Sequence, residues 1–188
     1  MPSFDHFSVL APYYDGVIRL REPQRLIQRL GLPIRGRLLD AGGGTGRVAQ
    51  ALKGMAGDIL VADLSMGMLR QAGEKDGLLR VCAPTERLPF ADGAFERILM
   101  VDALHHVINH KATARELLRV LQPGGRLVIE EPDVRTFTVK LVALAEKLAL
   151  MRSHFLAPPA IAQMFAVPGV RTRVEAEGFN AWVVVEKL

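Results

Sequence analysis

The stretch Leu38-Leu39-Asp40-Ala41-Gly42-Gly43-Gly44-Thr45-Gly46-Arg47-Val48-Ala49 limits what the rest of the chain can be. It reads as a short apolar strand, an acidic residue at its end, a glycine-rich turn and the first turn of a helix. Glycine serves such a turn twice, because it takes positive φ without steric cost and lets a ligand approach the backbone. Amides left over at the helix start face that ligand. Asp40 repels a phosphate but suits a ligand bearing an ammonium or hydroxyls. The spacing D-x-G-x-G-x-G therefore fits an adenosyl amino acid better than a pyrophosphate. Even so, Gly44-Thr45-Gly46-Arg47-Val48-Ala49 also satisfies the dinucleotide pattern G-x-G-x-x-A.

Strand and helix signals alternate on both sides of this loop. A helix is expected over about 16–30, with Leu20, Leu26, Ile27 and Leu30 on one face, and Pro33 and Gly36 interrupt the chain after it. Helix continues from Val48 to Met55. Ile59–Ala62 is a second strand that closes on Asp63, 17 positions past Gly46, where an acid can reach ribose hydroxyls. Ser65 then caps the next helix. Leu79–Cys82 and Arg97–Val101 read as strands three and four, the latter continuous and apolar as in the middle of a parallel sheet. A helix over about 111–121 follows, with Arg115, Glu116 and Arg119 outward. Pro123-Gly124-Gly125 turns the chain into strand five. Residues 134–152 read as helix and Ala160–Phe165 as a short one. Val170–Glu177 and Ala181–Lys187 form a hairpin.

Several segments resemble the Rossmann-like class of S-adenosylmethionine-dependent methyltransferases. Asp40–Gly46 looks like that family's first motif, and Asp63-Leu64-Ser65-Met66-Gly67-Met68-Leu69 like its D-x-S-x-x-M-L segment, in which the methionine packs on adenine. Ala83-Pro84-Thr85-Glu86-Arg87-Leu88-Pro89-Phe90-Ala91-Asp92-Gly93-Ala94-Phe95-Glu96 resembles the segment that carries adenine recognition. Asp102-Ala103-Leu104-His105-His106 and Leu121-Gln122-Pro123-Gly124-Gly125-Arg126-Leu127 match two more. The closest general resemblance is to the C-methyltransferases of ubiquinone and menaquinone biosynthesis. One position departs: where the family has an aspartate that accepts a bond from the adenine amino group, this chain has Pro84, which offers neither acceptor nor amide hydrogen.

The resemblance implies an α/β fold, a three-layer sandwich around a mostly parallel seven-stranded sheet with an antiparallel C-terminal hairpin. It implies S-adenosylmethionine as cofactor, held by Asp40, Gly42, Gly44, Thr45, Gly46, Asp63, Leu64, Met68, Thr85, Glu86 and Val101. One domain is expected over 1–188, divided into N-terminal cap helices (1–36), a cofactor-binding core (37–132) and a short lid with the closing hairpin (133–188). In the cap, Phe4-Asp5-His6-Phe7 and Ala11-Pro12-Tyr13-Tyr14-Asp15 resemble a segment that leads into a helix over the cofactor, and read equally as a hydrophobic staple. The lid is short, so the pocket is either open or closed by a partner chain, which leaves room for a homodimer.

Composition narrows the partners. With 188 residues, 49% hydrophobic and 23% charged, the chain suits a globular domain. One cysteine, Cys82, excludes an internal disulfide and a cysteine-cluster metal site. Neither a signal peptide nor an apolar run of membrane-spanning length is legible, so a cytoplasmic location is expected. The net charge is +4, and Arg19, Arg21, Arg25, Arg29, Arg35 and Arg37 face only Glu22 between them. A solvated helix face and turn is the plainer reading, an anionic lipid or nucleic-acid patch the sharper one. Nucleic-acid amino-methylation requires an Asn/Asp-Pro-Pro-Tyr-like segment after strand four, which is lacking, and arsenic methylation requires several cysteines.

Methyl transfer from a sulfonium needs positioning more than acid–base help. A base matters only if the acceptor loses a proton, and His105 and His106 are the candidates because histidine titrates nearest neutrality. Glu130, Glu131 and Asp133 cluster at the end of strand five and can orient an acceptor. The expected activity is methyl transfer to a small acceptor, lipophilic or quinone-like. Two alternatives stay open: a methyltransferase-like module acting through a partner, and a nicotinamide-dependent oxidoreductase.

Overall fold

The structure is a computed structural model that describes residues 11, 23–136, 139–140 and 153–188. Helix α1 (Pro23–Leu30) leads to strand β1 (Arg37–Ala41), helix α2 (Arg47–Ala51), strand β2 (Asp58–Asp63) and helix α3 (Met66–Gly73). Strands β3 (Leu78–Cys82) and β4 (Phe95–Val101) follow, then a 3₁₀ turn (Leu104–His106), helix α4 (His110–Val120) and strand β5 (Leu121–Pro132). Helix α5 (Pro158–Gln163) and strands β6 (Val170–Glu177) and β7 (Asn180–Lys187) complete the order. The seven strands form one sheet, β3-β2-β1-β4-β5-β7-β6, parallel except where β7 runs against β5 and β6.

Alternation along the central strands builds the three layers. Leu38, Leu99, Val128 and Val184 point to one face, where they pack with Leu26 and Leu30 of α1, Val48 and Ala49 of α2 and Leu69 of α3. Leu39, Ile98, Leu127 and Val185 point to the other, against Ala114, Leu117 and Val120 of α4 and Ile161 of α5. Both faces are covered, which is why β4 reads as a continuous apolar run from Ile98 to Val101.

Helix α2 stops at Ala51, short of the expected Met55. Leu52 and Lys53 donate to carbonyls three residues back, and Gly54 takes φ +81, so the helix tightens and turns. Strand β5 begins earlier than expected: Leu121 pairs with Phe95 before the glycine turn, and the register shifts until Arg126 pairs with Arg97. Glu116 and Arg119, expected to point outward, bridge instead. Glu116 Oε1 accepts from the Leu88 amide at 2.6 Å, while Arg119 donates to Glu116, Asp92 and the carbonyls of Leu88 and Phe90. They stitch the 88–92 segment to α4. Arg29, counted among the solvated basic residues, lies 4.1 Å over the Trp182 ring and pairs with Glu175 at 2.8 Å. Arg19, Arg21, the Phe4–Phe7 and Ala11–Asp15 motif apart from Ala11, the first part of the expected 16–30 helix and nearly all of the 134–152 helix lie outside the described residues.

Candidate functional site

In open α/β sheets a ligand sits beyond the carboxyl ends of the strands, where the strand order reverses. Here that place is the gap between β1 and β4. Three neighbouring strands, β2, β1 and β4, carry an aspartate at or beside their carboxyl ends: Asp63, Asp40 and Asp102.

The glycine loop follows β1. Gly42, Gly44 and Gly46 all take positive φ, at +70, +54 and +71. A side chain at Gly42 would place its Cβ 2.7 Å from Ala103 Cβ, and one at Gly43 would stand 2.5 Å from the Asp40 carboxylate. The loop thus packs against the segment after β4 on one side and over Asp40 on the other. The Gly44 amide donates to Asp63 Oδ2 at 2.9 Å, and the Ser65 amide to Asp63 Oδ1 at 2.8 Å. Asp63 therefore fixes the loop and the start of α3 together. Ser65 caps α3 by accepting from the Met68 amide, and Met68 is buried with its sulfur 3.9 Å from where a Gly44 Cβ would stand. Leu64 is 66% exposed beside it. Thr45 is buried, and its carbonyl accepts from Lys75 Nζ at 2.7 Å.

Asp40 is 1% exposed, and its Oδ2 atom has no hydrogen-bond partner among the described residues. Burial lifts its carboxyl to about 7; the Ala49 amide and Arg47 pull against that rise and Asp63 adds to it. An orphaned, buried carboxyl beneath a glycine cradle is the feature a cationic ligand would complete.

On the far side of the cradle, Asp102 is the one described non-glycine residue with positive φ, at +51. Its carboxylate lies 3.9 Å from Arg47, and burial, with Glu131 and Glu130 next, raises its carboxyl to about 6. Glu131 Oε1 accepts from the Ala103 and Leu104 amides at 2.9 and 2.7 Å, and its Oε2 meets His105 Nδ1 at 2.6 Å. His105 is buried, stacked on Phe155 with ring centres 4.4 Å apart, and tilted against His106 at 4.0 Å. His106 is driven down to about 3 by burial, with His105 contributing, and its Nδ1 lies 3.3 Å from Ser153 Oγ.

Two residues expected at the adenine side also make contacts within the protein. The Thr85 hydroxyl is buried 3.2 Å from the Thr113 hydroxyl, and Glu86 accepts from the Asn109 amide at 3.2 Å. Both tie their segment to the start of α4. Pro84 beside them is exposed. Val101 ends β4 at the edge of the α1–α3 face. Asp133, grouped in the sequence with Glu130 and Glu131, pairs with Arg135, whose guanidinium keeps its carboxyl low. Glu130, raised by burial, accepts from Asn180 at 2.8 Å.

The sequence set 101–106 along the reaction site but gave Asp102 no individual role there, and Arg47 and Phe155 none at all. A signal for Asp102 was present: Leu-Leu-Asp40, Val-Ala-Asp63 and Met-Val-Asp102 repeat one pattern, an apolar strand closing on an aspartate. Phe155 carries no such mark, because its partner His105 is distant in the chain.

Comparison with known proteins agrees with this geometry. Residues 39–129 match the family model described as a methyltransferase domain. A demethylmenaquinone methyltransferase of Mycolicibacterium vanbaalenii is 33% identical over 187 residues, covering 92% of this chain and 79% of that protein. One of Corynebacterium urealyticum is also 33% identical, over 88% of this chain and 69% of that protein. Among solved structures, a SAM-dependent methyltransferase from Aquifex aeolicus superposes with a TM-score of 0.74 at 18% identity, covering 97% of both chains.

Proposed function

The chain belongs to the class I S-adenosylmethionine-dependent methyltransferases, and on that premise we propose that its acceptor is a small, lipophilic, quinol-like molecule. The observation that carries this reading is the 33% identity, along 79% of its length, to a demethylmenaquinone methyltransferase. The nicotinamide alternative has no such support, and the family is that of an enzyme.

The residues present fit the cofactor. Asp40, with an oxygen that no group among the described residues satisfies, would take its ammonium, and Asp63 at the end of β2 its ribose hydroxyls. Gly42, Gly44 and Gly46 would let it approach the backbone, while Met68 and the exposed Leu64 would offer apolar contact to adenine. When bound, the cofactor supplies an activated methyl group whose transfer is an in-line displacement. What remains for the protein is to hold the acceptor at about 3–3.5 Å and keep water out.

The acceptor wall is proposed at the end of β4, where His105, His106 and Phe155 make a run of packed rings suited to a planar aromatic acceptor. Methylation at a quinol carbon needs a hydroxyl proton removed. His105 is the candidate to take it, because Glu131 holds its Nδ1 side and would stabilise the imidazolium that results. His106, neutral down to about pH 3, is too weak a base.

The test is incubation of the protein with methyl-labelled S-adenosylmethionine and a short-chain demethylmenaquinol kept reduced. Label in the methylated naphthoquinone is the expected result. Donor binding without transfer to a naphthoquinol or a benzoquinol would overturn the acceptor assignment.

A further inference from the structure

We propose that Asp102 is the charge-selective contact of the cofactor site, favouring the cationic methyl donor over its neutral product. The inference rests on the cofactor reading above and adds a residue to it.

Position comes first. The strand order places the three aspartates in a row along the carboxyl edge of the sheet, Asp63 on β2, Asp40 on β1 and Asp102 directly after β4. Asp63 anchors the nucleoside side, and its carboxylate is engaged by the Gly44 and Ser65 amides. Asp40 lies beneath the loop at Gly43, with its oxygen orphaned. The reacting centre must face the acceptor wall, and that wall begins with Asp102. The backbone there is pressed against the cradle, since Ala103 Cβ lies where a Gly42 side chain would go.

Electrostatics supply the preference. Arg47 at the start of α2 approaches Asp102 to 3.9 Å, beyond hydrogen-bond reach, and His105 is close enough to be felt. Against Arg47 stand Glu130 and Glu131 from β5, and Asp40 from β1 also draws on that arginine. Burial and these carboxylates raise the Asp102 carboxyl to about 6, the mark of an anion short of a counter-charge. With its side chain one-third exposed, at 33%, Asp102 can still meet a ligand.

The reaction changes the ligand's charge at one atom. The donor carries a sulfonium and the product a neutral thioether, while their amino-acid ends are the same. A carboxylate beside that sulfur holds the donor and lets go of the product. Such binding is made in the ground state and does not raise kcat. Its effect is to keep the product from occupying the site.

The substitution that tests this is Asp102→Asn. Asparagine tolerates the left-handed conformation that Asp102 occupies, so the backbone is kept while the charge is lost. Affinities for S-adenosylmethionine, for sinefungin, which carries an amine in place of the methylated sulfur, and for S-adenosylhomocysteine are measured by titration calorimetry, on the wild type first. Binding of none by the wild type would end the cofactor reading and this inference with it. The expected result is a loss of about tenfold for the two cationic ligands, with the neutral product held within about twofold. An unchanged ratio of donor to product affinity, whether all three ligands weaken together or none does, would overturn the assignment. Asp102→Gly, which accepts the same φ, repeats the comparison should the asparagine variant lose its thermal transition.

Discussion

Glu131 lies 2.6 Å from His105 Nδ1 through one carboxylate oxygen and gathers the Ala103 and Leu104 amides through the other. One buried side chain on β5 thus sets the backbone of the turn after β4 and the orientation of the ring it carries. Glu131→Gln keeps an oxygen for the two amides but presents an NH₂ to His105 and forces the other tautomer. Methyl transfer to demethylmenaquinol should fall by about tenfold or more, with affinity for S-adenosylhomocysteine unchanged. Glu131→Ala should also cost about 1–3 kcal/mol in urea denaturation, because buried donors lose their acceptor.

Asp40 should make the ligand-free protein less stable as the pH rises. Its folded value of about 7 lies above the ordinary 3.8, so between these values the native chain holds a proton that the unfolded chain has released. The contribution is complete below about pH 4 and is lost as the pH climbs to 7. Asp40→Asn removes that slope. At pH 8 the variant should melt higher than the wild type. The gain should be a few kcal/mol at most, since each tenfold change in proton affinity between the folded and unfolded chain is worth roughly 1.4 kcal/mol. The variant should also bind S-adenosylmethionine more weakly, and equal affinity would remove Asp40 from the site.

Gly44→Val places a β-branched residue at φ +54, a conformation that costs about 1–3 kcal/mol, and moves the amide that Asp63 holds. Cofactor binding should be lost while the far-ultraviolet circular dichroism is retained. Asp63→Ala should do the same and lower the melting temperature as well, since it frees the amides of Gly44 and Ser65. Wild-type affinity in either variant would sink the assignment of the loop.

Pro84→Asp should tighten binding of the cofactor. Pro84 is exposed and carries no acceptor, while the Thr85 hydroxyl and one Glu86 oxygen already bond to Thr113 and Asn109. A carboxylate there should add about 1.5–3 kcal/mol, read as a tenfold or greater fall in Kd. No gain would mean that adenine lies elsewhere.

The sheet was legible in the sequence because its causes are local. Apolar strands closing on Asp40 and Asp63, glycines at 42, 44 and 46, Ser65 as a cap and the turn at 123–125 each declare themselves within a few residues. Helix boundaries were less so: α2 ends early because Gly54 takes positive φ, which composition alone does not dictate. The acceptor side was the least visible. That His105 is clamped by Glu131 and Phe155 depends on contacts 26 and 50 positions away, and spacing carries no trace of them. Thr85 and Glu86 show the same limit, since their partners on and beside α4 appear only once the layers are assembled.

The place of β7 has a consequence for synthesis. It lies between β5 and β6 yet follows both in the chain. While a ribosome is still making residues 170–177, β6 has no strand to join and the flank of β5 presents unpaired amides and carbonyls. The cradle on β1, β2 and β4 can form earlier, with the acceptor wall still supported by a raw edge. A nascent chain at that stage meets the donor before it is able to use it, and emergence of β7, rather than arrival of the cofactor, marks when the site becomes competent.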